Sequence, residues 1–197
     1  MPRFFDLLLL ILISTLIIPV FIVVILFALL FHRSNIFFFQ QRIGKNKEIF
    51  KLIKFRSMII NAQTMGTGLY SYSDDNRITF FGKFLRTTSL DELPQLINIL
   101  KGDMSFVGPR PAVVGELEQE QECNLPIDID LRFSMKPGLT GWAQIHGRDN
   151  LTWSQKATFD IEFVKMKGLK KFFKIIYILI FTPFYIFNFS ATYEKRN

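Results

Sequence analysis

From Phe4 to Phe31 the chain is almost wholly apolar, with Asp6 as the one charge. Backbone N–H and C=O groups in hydrocarbon must be satisfied within the segment itself, so a run of this kind is a helix. At ~1.5 Å per residue a straight helix of this length exceeds the ~30 Å hydrocarbon core of a bilayer. The run is too long and too apolar for a secretory signal, and no small-residue cleavage site follows it. Pro19 stands near its middle, where proline removes one backbone hydrogen bond and kinks a helix. Two topologies follow. Either a tilted, kinked helix crosses the membrane, or two arms of about 13 residues, each too short to span, meet at Pro19 and leave by the face they entered. Arg3 flanks one end and Arg33, Arg42, Lys45 and Lys47 the other. Basic flanks stay on the cytoplasmic side, which favours the re-entrant form. Kinked spanning helices are common, so the physics of the segment taken alone predicts a span.

A chain of 197 residues suits one domain with an appendage. The division falls near residue 35, with a membrane helix over 1–35 and a globular domain over 36–197. A net charge of +7 implies an anionic partner: nucleic acid, anionic lipid or a phosphorylated substrate. Cys123 is the single cysteine, so an intrachain disulfide is excluded and a reducing compartment fits. His32 and His146 lie far apart, and no zinc-type spacing exists. Walker loops and G-x-G-x-x-G runs, the common nucleotide cradles, are absent.

The expected fold class is α+β: a mostly helical, membrane-associated domain with a short β-element and interfacial amphipathic helices. Phe37-Phe38-Phe39 and Ile49 to Arg56 read as strands, the second alternating apolar with basic residues. Lys51, Lys54 and Arg56 form either a basic patch or a solvated or lipid-facing surface. Asn61 to Asn76 is a polar loop, and Arg77 to Arg86 a short amphipathic helix whose arginines deliver charge toward the next segment. Val113 to Gln121 reads as an acidic helix. Asn150 to Lys165 reads as a helix with Trp153, Ala157, Ile161 and Val164 on one side. Lys170, Lys171 and Lys174 then lead an aromatic run from Ile175 to Phe189, broken at Pro183, as expected of a helix lying on a membrane, with a second spanning helix as the alternative. The polar end from Thr192 to Asn197 is expected to be disordered.

The stretch from Ser89 to Pro111 carries the chemistry. Leu93, Leu96, Ile97 and Leu100 recur at helical spacing, Gly102 ends the period, and Pro94 is tolerated only in a first turn. The spacing predicts a helix starting near Asp91, with Asp91 and Glu92 at its N-terminus. Such an end suits phosphates. Equally, Ser89 and Glu92 have capping-box spacing, and read alone the stretch is a capped helix. Downstream, Pro109 and Pro111 restrict the backbone of Arg110, and the segment either presents its guanidinium, the fork that grips phosphate bidentately, or is simply a rigid loop. In Lys136 to Asn150, Pro137-Gly138 reads as a type II turn and the glycines allow close backbone approach to a ligand. Trp142 there stacks on a base or packs, and Arg148 closes on a phosphate or is structural.

Taken together, Gln40-x-Arg42-x-Gly44, Lys54 to Met58, Arg77-x-Thr79-x-x-Gly82-x-x-Leu85-Arg86, Ser89 to Gln95, Lys101 to Pro111, Lys136 to Gln144 and Gly147-Arg148 resemble, in order, the motifs of the bacterial sugar transferase family. The resemblance is to its small monotopic phosphoglycosyl transferases and covers residues 40 to about 165. It implies transfer of a sugar-1-phosphate from a UDP-sugar to polyprenyl (undecaprenyl) phosphate, giving polyprenyl-diphosphate-sugar and UMP. It implies Mg2+ as cofactor, with Asp91 and Glu92 as the catalytic and metal-binding dyad and Asp91 as nucleophile of a covalent, two-step mechanism. It also implies a minimal catalytic form on the cytoplasmic face of the bacterial inner membrane, held in the bilayer by a re-entrant helix. In the family that helix breaks near a Ser-Pro; here Ile18 precedes Pro19 and Ser14 lies a turn earlier. Phe163 stands where the family has tyrosine.

On this reading Lys54, Arg56, Arg86, Arg110 and Arg148 are the candidates to hold phosphate, and Asp103 is a weaker, structural one. The acceptor phosphomonoester, with a second pKa of about 6, is largely ionised and needs little general-base help, so Glu92 is assigned to the metal. The competing class is a non-catalytic membrane scaffold or lipid-binding protein, which has no need of the dyad and the arginines together. A nucleic-acid binder is disfavoured by the long apolar N-terminus, and the sugar is not encoded in any recognisable residue.

Overall fold

A computed structural model of the protein describes residues 1–31, 35–65, 75–116, 126–147 and 150–194. Helix α1 (Arg3–Phe31) runs through Pro19 without interruption, and it is long and apolar enough to cross a membrane. Its surface is used unevenly. Met1, Leu9, Leu10 and Ile13 pack on a main core that includes Leu52, Ile99, Met104, Phe106, Val107, Phe163 and Ile178. Val24 and Ala28, with Phe21 and Ile25 beside them, join a second cluster of Phe55, Phe81 and Leu85. On the other side of α1, Ile11, Leu12, Leu16 and Ile18 are exposed. Asp6, which sequence places inside the apolar run, is fully buried: its Oδ1 accepts from Ser105 Oγ at 2.8 Å and from the Phe106 N–H at 3.0 Å. Arg3 donates to the carbonyls of Ile99 and Leu100, at the C-terminal turn of another helix, where a cation is favoured.

Strands β1 (Phe37–Ile43) and β2 (Ile49–Phe55) form an antiparallel hairpin in continuous register from Phe37 opposite Phe55 to Ile43 opposite Ile49. Both strand-like runs of the sequence are therefore present. Helix α2 (Phe80–Thr87) starts three residues later than the pattern from Arg77 predicts, because Thr79 caps it by accepting from the Gly82 N–H. Gly82 is where α2 meets the chain after β2; a Cβ there would lie 1.9 Å from the Ser57 carbonyl oxygen. Helix α3 (Gln95–Lys101) ends as its sequence predicts, on Gly102 at φ 95°. Strand β3 (Ser105–Val107) follows, and β4 (Ala112–Val113) adds to the far side of β1, giving the order β2-β1-β4. Val113 is thus a strand residue and not the start of an acidic helix; 117–121 of that stretch lies outside the described residues, as does 66–74 of the polar loop.

Strand β5 (Gly138–Thr140) pairs in parallel with β3. The type II turn expected at Pro137-Gly138 is not formed, since Gly138 is not among the positive-φ glycines and belongs to the strand. Glycine is required for another reason: a Cβ at 138 would come within 2.1 Å of the Gly108 nitrogen. Helix α4 (Trp142–His146) and helix α5 (Trp153–Lys165) follow, α5 closed by a Thr152–Gln155 capping box. Trp153, Ala157 and Ile161 are buried as their spacing predicts, with Phe163 in the place expected for Val164. Helix α6 (Gly168–Glu194) continues through Pro183, so proline does not break it and Thr192 extends the helix. Ile175 and Ile178 enter the core, whereas Leu169, Phe172, Phe173, Ile180 and Phe184 are exposed.

Candidate active site

Asp91 and Glu92 sit on a tight 3-10 turn (Leu90–Glu92) that precedes α3, and both are buried. The capping box expected of Ser89 and Glu92 is not formed. Ser89 adopts a left-handed backbone (φ 56°) and makes no side-chain cap. The chain must reverse there between α2 and the turn, and that reversal decides the backbone of Ser89. The carboxylates consequently stand one turn before the α-helix proper and not in its first turn.

Glu92 Oε1 receives two cations: Lys54 Nζ at 3.0 Å and Arg110 Nη2 at 3.4 Å. Lys54 projects from β2. Burial pushes its ammonium below the ordinary lysine value, and the charges of Glu92 and Asp91 oppose that shift. A residue that carries no signal in sequence sets this pairing. Asn98 on α3 is fully buried; its Oδ1 accepts from the Ile53 N–H at 3.0 Å and its Nδ2 donates to the Lys51 carbonyl at 2.7 Å. It thus satisfies the free edge of β2 as a neighbouring strand would, and ties α3 to β2 with Lys54 facing Glu92. The same Nδ2 donates to Asp103 at 3.1 Å, so Asp103 serves the structure.

This arrangement turns α3 away from the face that its apolar spacing alone suggests. Gln95, Asn98 and Ile99 are buried, while Ile97 and Leu100 are exposed. Periodicity identifies an apolar stripe but not what covers it. Here backbone groups of β2 that need partners draw Asn98 to the core side beside Ile99; Leu93 and Leu96 pack half-buried against the two clusters, and only Ile97 and Leu100 of the stripe face outward.

The remaining sequence candidates divide. Arg110 reaches the dyad. Arg56 does not: it stands just past the last residue of β2 and donates to the carbonyls of Asn35 (2.8 Å) and Phe37 (3.2 Å) at the open end of the hairpin. Arg86 donates to Ser57 Oγ at 3.2 Å. Arg77, expected to bring charge to the dyad from α2, lies outside that helix and pairs with Asp75 at 2.5 Å and with the Ala62 and Met65 carbonyls. Arg148 lies outside the described residues. Trp142 packs: its Nε1 donates to Glu162 and the Lys174 ammonium lies 3.5 Å from the ring centroid.

Among the described residues no group of three or more His, Cys, Asp or Glu forms a metal cage. Magnesium does not need one; one or two carboxylates with substrate phosphates and water suffice, and adjacent Asp91 and Glu92 fit that donor set.

A family model described as bacterial sugar transferase matches residues 1–187. The undecaprenyl-phosphate galactose phosphotransferase of Salmonella typhimurium is 42% identical over 139 residues, covering 64% of this chain and 28% of that protein. The galactosyl transferase CpsE of Streptococcus agalactiae is 41% identical over 154 residues, covering 73% and 33%. The UDP-glucose:undecaprenyl-phosphate glucose-1-phosphate transferase of Escherichia coli is 40% identical over 154 residues, covering 76% and 32%. The chain therefore spans about a third of the length of these curated relatives.

Proposed function

The chain belongs to the bacterial sugar transferase family, and on that premise we propose that it transfers a sugar-1-phosphate from a UDP-sugar to undecaprenyl phosphate at the cytoplasmic face of the membrane. The observation that carries the reading is the buried Asp91-Glu92 pair with Lys54 and Arg110 converging on Glu92. Transfer between two anions requires charge neutralisation and positioning, and cations gathered beside a carboxylate dyad supply both.

In the proposed sequence an Asp91 carboxylate oxygen attacks the phosphorus that bears the sugar. The bond from that phosphorus to UMP breaks, UMP leaves, and an aspartyl phosphosugar remains. A phosphate oxygen of the lipid then attacks the same phosphorus, the acyl-phosphate bond breaks, and Asp91 is regenerated as carboxylate. Lys54 and Arg110 hold Glu92 in place and offset charge beside the reacting phosphates. Asp91 and Glu92 are the residues that would hold Mg2+, which when bound neutralises phosphate charge.

The re-entrant topology is part of this proposal. Arg3 docks on the Ile99 and Leu100 carbonyls, while Val24 and Ala28 share a cluster with flanking Leu90 and Leu93. Straight, α1 would separate Arg3 from Ala28 by ~38 Å, against at most ~20 Å along the 3-10 turn and α3 from Leu90 to Leu100. Those attachments support a bend at Pro19 that returns the chain to its face of entry. Exposed Phe80 and Phe84 on α2, Ile97 and Leu100 on α3, and Phe172 and Phe173 on α6 support contact with the bilayer interface. The lipid acceptor then meets the dyad at headgroup level.

The test is UMP release from a panel of UDP-sugars with undecaprenyl phosphate and Mg2+. At least one donor should give UMP and a lipid-linked diphosphosugar, and Asp91→Asn should abolish both turnover and any phosphosugar adduct on the protein. Full activity in Asp91→Asn removes the nucleophile assignment.

A further inference from the structure

The Gln40-x-Arg42-x-Gly44 motif and the buried Arg132–Asp160 pair have no part in the chemistry above, yet both end on the loop that carries Arg110. Three successive carbonyls of that loop are each held by a different element. The Gly138 N–H of β5 donates to Pro109 at 2.8 Å, Arg132 Nη2 to Arg110 at 2.5 Å, and Arg42 Nη1 of β1 to Pro111 at 2.8 Å.

Both arginines have their forks committed. Arg42 places Nε and Nη2 on Gln40 Oε1, at 2.9 and 2.6 Å. Arg132 places Nε on Asp160 Oδ2 at 2.7 Å, lies 4.6 Å from the Trp153 ring centroid, and is 4% exposed against 1% for Asp160. A fully buried ion pair is weak as a device for stability, because desolvation offsets the attraction. This pair is also imperfect for that purpose, since among the described residues Arg132 Nη1 and Asp160 Oδ1 have no hydrogen-bond partner. What Arg132 does complete is the bond to the Arg110 carbonyl. Prolines on both sides already restrict the backbone of Arg110. With the three carbonyls fixed, the freedom left is in the Arg110 side chain, whose Nη2 lies 3.4 Å from Glu92 Oε1.

We propose that Arg42 and Arg132 are positioning residues for Arg110: they hold the carbonyls of Pro111 and Arg110 so that the Arg110 guanidinium is presented at the dyad, and they do not themselves contact the transferred phosphate. This rests on the reading that Arg110 handles a substrate phosphate. Lysine cannot replace either residue, since one ammonium on a flexible stem does not reproduce a fork that binds two fixed acceptors at once.

The experiment uses the full chain in lipid nanodiscs. Initial rates of UMP release are measured for wild type, Arg42→Lys, Arg132→Lys, Arg110→Ala and the two double variants, together with hydrogen–deuterium exchange. Each lysine variant should lose roughly 10- to 100-fold in kcat/KM, as expected when a contact shifts by about an ångström. Exchange should rise in 107–113 and stay unchanged in 49–55. In the Arg110→Ala background the same lysine change should cost less than about twofold, because the pathway through Arg110 is already gone. Losses that multiply in the double variants, or wild-type exchange in 107–113, overturn the proposal. If Arg132→Lys does not fold, Arg42→Lys and Gln40→Ala, which frees Arg42 on β1, carry the same test. If wild type releases UMP from no donor, the functional reading fails, and the exchange measurement decides the positioning role alone.

Discussion

Glu92 Oε1 is shared by an ammonium and a guanidinium, and the two respond differently to pH. Burial lowers the Lys54 value, so its proton is lost at a lower pH than the about 10.4 of a free lysine. The unfolded chain binds that proton more strongly, so the stability contributed by this group rises with pH between the lowered value and the free one. Activity runs the other way, because deprotonation removes one of the two cations on Glu92. The kcat/KM profile of wild type should therefore show an alkaline limb that Lys54→Arg moves upward or removes, arginine remaining charged throughout; an identical limb in both proteins would exclude Lys54 as its source. The dyad, Lys54 and Arg110 were legible because acidic pairs, basic strand positions and a proline-flanked arginine are uncommon in combination. Arg56 stands apart from the Lys54 pairing because strand alternation stops at Phe55, one residue before it. Asn98 and Arg132 were missed because the role of a buried amide or guanidinium depends on which backbone groups lie opposite, and sequence spacing does not state that.

The hairpin, α5 and the Gly102 terminus of α3 could be read from period and end signals, since each depends on residues near in sequence. The orientation of α3 could not. Ile97 and Leu100 of its apolar stripe are exposed, while polar Asn98 is buried beside Ile99. The cost of leaving β2 unpartnered explains the choice: an unpaired buried backbone group costs about 1–3 kcal/mol, and Asn98 satisfies two. Asn98→Ala should accordingly lower unfolding stability by about 2–6 kcal/mol in detergent and reduce turnover as α3 loosens from β2. Asn98→Asp should not restore either, since it keeps the acceptor for Ile53, loses the donor to Lys51, and sets a second carboxylate beside Asp103. Wild-type melting of Asn98→Ala would remove the strand-mimic role.

For the whole molecule the order of motifs identified the family from sequence, while the path of α1 stayed open between a span and a return, since one flanking arginine and one proline are compatible with both. The attachments at its two ends bear on that choice. With Cys123 replaced by serine, single cysteines at Pro2 and Asn35 should both resist a membrane-impermeant maleimide in intact spheroplasts and both react in inverted vesicles. Labelling from opposite sides would establish a span. The seating of Val24 and Ala28 among Phe55, Phe81 and Leu85 carries a consequence for inheritance. Ala28 is 1% exposed, leaving no room for a larger side chain without displacing its neighbours. A foreign membrane segment grafted ahead of residue 36 would bring hydrophobicity but not that fit. The anchor and the rest of the chain are thus expected to have diverged together, with changes at Val24 and Ala28 matched by changes at Phe81 and Leu85, and not to have been exchanged as interchangeable parts.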